Sequence, residues 1–291
     1  MGFSNKHNSA RRVAFARSWE SHKPAGERVC SDPFAKDFLN WTGKFFSANP
    51  LGRKLATRTA APIELGILGY VPLRTRVIDE YTLECIKNGM EQLVIMGAGY
   101  DSRAYRMDEL KQLKKIFEVD LGRNQDDKLA RLGKMLGSIP QHVTYVPVDF
   151  ESGTLDAALL QSGYSPDLKT LFIWEGVASY LELKSVDQTL AFMASRSAPG
   201  SAVIFDYLHE EVLNGVSGAP LAKDLLDYGV GIGEPWKTGI NPDSIDEFLA
   251  ARGFSQVNNF STEQCKQMYW PKHQQDKDVL KLFSIVHATT G

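Results

Sequence analysis

From Gln92 onward, short apolar runs alternate with stretches of helical pattern: QLVIMG, KIFEVD, VTYVPVD, TLFIWEG and SAVIFDY, all rich in Val, Ile and Phe. Runs that are apolar throughout, without alternation, read as strands buried on both faces. Strands separated by helices imply right-handed crossovers and an open, doubly wound, mostly parallel sheet, with its ligand site beyond the carboxyl ends of the strands. Ahead of these runs, Ser9 to about Glu84 is patterned as helix in SARRVAFARSWE, DPFAKDFLNWTGKFF and RTRVIDEYTLECI, with Pro and Gly as punctuation. Between Tyr207 and Ile240 the pattern loses regularity, with Gly215, Gly218, Gly229, Gly231, Gly233 and Gly239 among helical pieces, as expected of an inserted cap. NPDSIDEFLAARGF then reads as a helix with a polar cap, a Pro in its first turn and Gly253 at its end. SQVNNFS and VLKLFSIVHA complete a seven-stranded sheet, the last pair resembling an antiparallel edge. With no internal repeat or low-complexity linker, residues 1–291 read as one domain: a helical extension over 1–88, a core over 89–207, the cap over 208–240, and a closing helix with two strands over 241–291.

Charge narrows the partners. The 291 residues hold 33 Lys and Arg against 35 Asp and Glu, a balance with no overall field for a polyanion or an acidic membrane surface, so nucleic acid and membrane are not expected partners. No apolar run approaches the roughly 20 residues that cross a bilayer, and MGFSNKHNSARR has no apolar core after its charges, so a soluble, cytoplasmic protein is the expectation. Cys30, Cys85 and Cys265 are widely separated and lack metal-ligand spacing; they read as reduced structural thiols, and no metal site is expected.

The chemistry gathers at the ends of the strands. Leu93 to Ser102 (LVIMGAGYDS) delivers an apolar strand into a Gly-x-Gly turn, where Gly97 and Gly99 let the backbone bend tightly and approach a ligand with no Cβ in the way. A dinucleotide fingerprint wants a third Gly where this chain has Ser102, which argues against a pyrophosphate on the following helix. Asp120 ends the next run about 20 residues on, where a carboxylate can accept both hydroxyls of an adenosine ribose. Asp149 and Phe150 end the third run, an acid for an exocyclic amine beside an apolar ring for the face of a base. Glu175 ends the fourth, where a negative group favours a ligand carrying sulfonium and ammonium charges. Taken singly, each acid is equally a solvated strand-end charge; four strand ends in register with one ligand is a much rarer coincidence.

These residues also carry a resemblance. DPFA (Asp32–Ala35), RTRVID (Arg74–Asp79), VIMGAGYDSRAYR (Val94–Arg106), FEVD (Phe117–Asp120), YVPVDF (Tyr145–Phe150) and IWEGVASYL (Ile173–Leu181) occur in order, and over roughly residues 10 to 207 the chain resembles the leucine carboxyl methyltransferase superfamily, in particular its microbial branch. The resemblance implies a class I, Rossmann-like methyltransferase fold and S-adenosylmethionine as cofactor. It implies that Arg74 binds the cofactor's carboxylate, that Gly97 and Gly99 form the glycine turn, that Asp120 holds the ribose, that Asp149 and Phe150 contact adenine, and that Glu175 is the acid after the fourth strand. One departure is Leu121-Gly122, where many relatives carry a Pro after the second-strand acid; it loosens the local backbone.

Methyl transfer from a sulfonium needs alignment and exclusion of water more than acid–base work. A carboxylate acceptor is already anionic, which suits a motif set with no dedicated His or Lys; His7, His22, His142, His209, His273 and His287 are scattered. The expected reaction is methyl-ester formation on a small-molecule carboxylic acid, the alternatives being a phenolic or alcohol hydroxyl, or a protein's terminal carboxylate. Arg11, Arg12 and Arg17, at near-helical spacing, and Tyr100 are candidates to orient the acceptor, a solvated basic helix face being the competing reading for the arginines. The cap is expected to shape the acceptor pocket. A nicotinamide-dependent oxidoreductase and a binding module that keeps only the fold are the rivals from other classes.

Overall fold

The computed structural model describes residues 8–152, 154–275 and 279–291; the first seven residues, His7 among them, lie outside that description. Among the described residues four α-helices precede the sheet: α1 (Asn8–Ser21), α2 (Trp41–Ala48), α3 (Pro50–Thr59) and α4 (Pro62–Lys87). Local chemistry starts them. The Asn40 side chain accepts from Gly43 N and that of Asn49 from Leu51 N and Gly52 N, while Pro50 and Pro62 occupy first turns, where a missing N–H loses nothing. On α4 the buried Tyr70, Leu73, Arg74, Val77, Ile78 and Tyr81 recur at helical spacing. The stripe that anchors α4 to the sheet therefore also carries Arg74 inward.

The strands are β1 (Gln92–Met96), β2 (Lys115–Asp120), β3 (Val143–Pro147), β4 (Thr170–Trp174), β5 (Ala202–His209), β6 (Gly239–Ile240), β7 (Phe254–Ser261) and β8 (Phe283–Thr290). Their order is β3-β2-β1-β4-β5-β8-β7, with β1 to β5 mutually parallel and β8 antiparallel between β5 and β7. All seven expected strands are present. The two-residue β6 is an addition inside the expected cap: it pairs in parallel with Leu208 and His209, where β5 runs past its last β4 partner at Phe205.

Alternation within each strand builds two cores. Leu93, Ile95, Leu171, Ile173 and Ile204 pack on the α4 face, and Val94, Met96, Phe172, Trp174, Val203 and Phe205 on the other. Both faces are covered, which explains runs that are apolar throughout. The expected helix after β6 is a 3₁₀ turn (Pro242–Ser244) and a short helix (Ile245–Ala250), closed at Gly253 with φ +89°. A helix over Thr262–Tyr269, between β7 and β8, has no counterpart among the expected elements, although Ser261 and Gln264 form a capping box at its start.

Strand order reverses between β1 and β4, since the chain proceeds from β1 to β2 and β3 on one side and from β4 to β5 on the other. In open α/β sheets the crevice at such a switch point, off the carboxyl ends, is where ligands bind. The glycine turn follows β1 and Glu175 follows β4, so the topology brings both to the same crevice.

Candidate active site

The turn after β1 is held from three directions. Gly97 and Gly99 have φ of +66° and +41°, and a Cβ on Gly97 would fall far inside contact distance of Val177 Cγ2. Gly99 N donates to Asp120 Oδ2 at 2.6 Å, while Asp120 Oδ1 accepts from Leu121 N and Asn124 Nδ2, both at 2.7 Å. Asp120 is buried, and its second oxygen keeps a lone pair for a ligand hydroxyl. Leu121-Gly122 does not disturb this arrangement: Gly122 opens the helix Gly122–Leu136 directly behind the acid. Arg17 of α1 donates to Tyr100 O at 2.5 Å and pairs with Asp32 at 2.8 Å, and Asp32 in turn accepts from Phe34 N and Ala35 N. The DPFA motif thus anchors α1 to the glycine turn.

Behind the turn lies a buried chain of ion pairs. Arg74 Nε donates to Glu175 Oε1 at 3.0 Å and its Nη1 to Asp206 Oδ2 at 2.6 Å. Arg103 Nη1 meets Glu175 Oε2 at 2.6 Å and also Asp101, while Arg103 Nε meets Asp79 at 2.7 Å. Arg106 completes the chain on Asp79 at 2.7 Å. Asp206 further accepts from Tyr70 Oη at 2.9 Å and from Gly176 N at 2.6 Å. Burial alone would raise the Glu175 carboxyl, but the guanidiniums of Arg103 and Arg74 hold it well below the ordinary carboxylate range. Four carboxylates (Asp79, Asp101, Glu175, Asp206) face three guanidiniums (Arg74, Arg103, Arg106), so the connected cluster carries one uncompensated negative charge.

A cavity of about 410 Å³ opens at this point, within the roughly 300–1,000 Å³ typical of small-molecule sites. It is lined by Arg74, Gly97, Gly99, Tyr100, Asp120, Asp149, Phe150 and Glu175, so every cofactor-binding residue expected from sequence faces one space. The acceptor candidates divide. Arg12 and Arg17 line the cavity; Arg11 is not among its lining residues and lies toward Tyr100, whose hydroxyl meets Asp127. The segment expected to form a cap contributes Leu225, Tyr228, Ile232, Trp236 and Lys237. Asp206 carries no strand-end signal in sequence: it stands in the fifth apolar run, SAVIFDY, inside β5 (Ala202–His209) and not at its end as the other acids do. Its role depends on Arg74 and Tyr70, more than a hundred residues away along the chain. Among the described residues no cluster of metal-ligating side chains occurs, and no helix is long and apolar enough to cross a membrane.

A sequence profile of the family described as leucine carboxyl methyltransferase matches residues 10–194. A Bacillus subtilis protein, named as a candidate S-adenosyl-L-methionine-dependent methyltransferase, is 28% identical over 199 residues, 68% of this chain and 64% of that protein. A Streptomyces avermitilis protein of the same designation is 32% identical over 189 residues, 65% of this chain and 64% of that one. The match thus spans somewhat under two thirds of these relatives' length. In fold, the chain is similar to the crystal structure of a candidate methyltransferase from Thermobifida fusca, with a TM-score of 0.61 over 99% of this chain and 96% of that one at 13% identity.

Proposed function

The chain belongs to the leucine carboxyl methyltransferase family, and from that premise we propose that it binds S-adenosylmethionine between β1 and β4 and methylates a carboxylate of a small molecule. The observation that carries the reading is the single uncompensated negative charge of the buried ion-pair chain beside the cavity. A ligand with two cations and one carboxylate neutralises that charge, whereas the pyrophosphate of a nicotinamide dinucleotide would add to it. In this reading Arg74, whose Nη2 makes no hydrogen bond among the described residues, holds the cofactor's carboxylate. Glu175 faces its cationic end, Asp120 accepts its ribose hydroxyls, and Asp149 with Phe150 receives its adenine.

Bound there, the cofactor supplies an electrophilic methyl group on a sulfonium whose departure leaves a neutral thioether. The protein's own task is placement and exclusion of water. Arg17 fixes the turn through Tyr100 O, and α1 and the cap supply the walls opposite the sheet. An acceptor that arrives already anionic suits the side chains present. Lys237 is paired with Glu151 and Glu182, and burial raises the phenols of Tyr70, Tyr180 and Tyr228 above their ordinary value.

Calorimetric titration with S-adenosylmethionine and with NAD, repeated on Asp120→Ala and Asp149→Ala, tests the donor. Binding of S-adenosylmethionine alone, weakened in both variants, is the expected result; binding of NAD or of neither ligand would overturn it. Transfer of a labelled methyl group to carboxylic acids, followed by alkali, then separates an ester, which releases labelled methanol, from an ether, which does not.

A further inference from the structure

Among the described residues, four cationic side chains line the cavity: Arg12, Arg17, Arg74 and Lys237. Three have carboxylate partners, Arg17 with Asp32, Arg74 with Glu175 and Asp206, and Lys237 with Glu151 and Glu182. Arg12, among the described residues, has none. Its Nη1 donates to the neutral hydroxyl of Tyr228, and its guanidinium lies 4.7 Å from the centre of that ring. Because the Tyr228 oxygen acts as acceptor toward Arg12, its own proton is left to donate elsewhere. Burial raises the Tyr228 phenol, so that proton stays in place at neutral pH. Glu64 and Glu234 stand within electrostatic range of Tyr228, yet neither lines the cavity nor pairs with Arg12.

Beside this pair the cavity wall is apolar and aromatic. Trp236 stacks on Tyr180 at 4.3 Å and meets Phe283 at 5.5 Å, and Phe283 stacks on Tyr70 at 4.9 Å. Ile67, Val71, Leu225 and Leu280 continue the surface. A partly buried cation with no anion, and a phenol with an unused donor, among the described residues, set in an apolar wall, are complementary to one anionic group on a hydrophobic body.

We propose that the acceptor is a monocarboxylic acid with an apolar aliphatic or aromatic body, its carboxylate held by the Arg12 guanidinium and the Tyr228 hydroxyl and its body lying on the Trp236–Phe283 wall. This rests on the methyl-transfer reading and narrows it to a substrate class. Arg12 and Tyr228 are positioning residues: they orient the carboxylate and leave an oxygen lone pair free to face the methyl group. Both belong to elements outside the sheet, α1 and the helix Ala222–Gly231, so the acceptor's carboxylate is held where these two elements already meet.

The test is calorimetric titration of the full chain, saturated with S-adenosylhomocysteine so that no turnover occurs, with octanoate, phenylacetate, propionate, octanamide and octylamine. Octanoate and phenylacetate are expected to bind and octylamine is not, and each methylene removed between octanoate and propionate weakens binding roughly four-fold. Arg12→Gln lowers octanoate affinity by roughly 10- to 100-fold and leaves S-adenosylhomocysteine affinity unchanged. Tyr228→Phe, which keeps the ring, gives a smaller loss of the same kind. Octanamide or octylamine binding as tightly as octanoate, wild-type octanoate affinity in Arg12→Gln, or no binding of either octanoate or phenylacetate would overturn the substrate class while S-adenosylhomocysteine binding kept the donor reading intact. Failure of the wild-type protein to bind S-adenosylhomocysteine would overturn both.

Discussion

Gly97→Ala places one methyl group at the tightest point of the crevice. Two separable penalties follow. At φ +66° an L-residue pays about 1–2 kcal/mol for the left-handed backbone. The new Cβ also overlaps Val177 Cγ2, and forcing an extra carbon into a packed site costs typically about 1–3 kcal/mol. The variant should therefore be less stable by roughly 2–5 kcal/mol, a large share of the stability of an ordinary domain. Urea unfolding followed by tryptophan fluorescence measures this, with Val177→Ala and the double variant completing a mutant cycle. The cycle should return a favourable coupling of about 1–3 kcal/mol, the steric part alone, while the backbone part persists in the double variant. S-adenosylmethionine binding should be weakened in Gly97→Ala and only partly restored in the double variant. Additive effects of the two substitutions, or a Gly97→Ala protein as stable as the wild type, would refute the claim that this turn is shaped by the absence of a side chain.

Asp120→Ala removes the acceptor for Gly99 N, Leu121 N and Asn124; S-adenosylmethionine affinity should fall by roughly 10- to 100-fold while thermal unfolding stays cooperative. The depressed Glu175 carboxyl gives stability that is fully present above the unfolded-state value of about 4.3 and is lost as pH falls below it toward the folded value; urea titrations across that range should show a steep loss that Glu175→Gln flattens. Burial pushes His287, stacked on Tyr81, down to about 4, so the unfolded chain binds the extra proton between about 6.5 and 4 and stability declines as pH falls through that window; a His287→Gln variant should lack this part of the slope. Cys30, Cys85 and Cys265 are buried and free, with burial raising each thiol, so native protein should react with a thiol reagent only at the rate of unfolding, and fast labelling without denaturant would contradict that.

The acids at the ends of β2, β3 and β4 were legible because each directly follows an apolar run, and a parallel sheet places such ends on one side. Asp206 also follows apolar residues but lies inside β5, and nothing near it in the chain announces Arg74 or Tyr70. The arginines of α1 show the opposite limit. Arg11, Arg12 and Arg17 look interchangeable in sequence, yet Arg17 is held by Asp32 and Tyr100 O, Arg11 lies outside the cavity lining, and Arg12 reaches the cavity with no carboxylate partner among the described residues. The helix Thr262–Tyr269 was hidden between two strands despite its capping box, since eight residues with few apolar positions carry little periodic signal.

The sequence alone determined what depends on neighbours along the chain: strands buried on both faces, helices between them, a turn that only glycine tolerates, and acids at strand ends. Backbone sterics and hydrophobic periodicity act over a few residues, so that information is local. Tertiary structure decided the rest: that β6 extends the sheet beside β5, that Trp236 meets Tyr180 and Phe283 at the cavity wall, and that, among the described residues, one of four cavity cations has no carboxylate partner. Which charges neutralise one another is settled by packing distances between distant segments, because Coulomb attraction in a buried site depends on separation in space and not on separation in sequence.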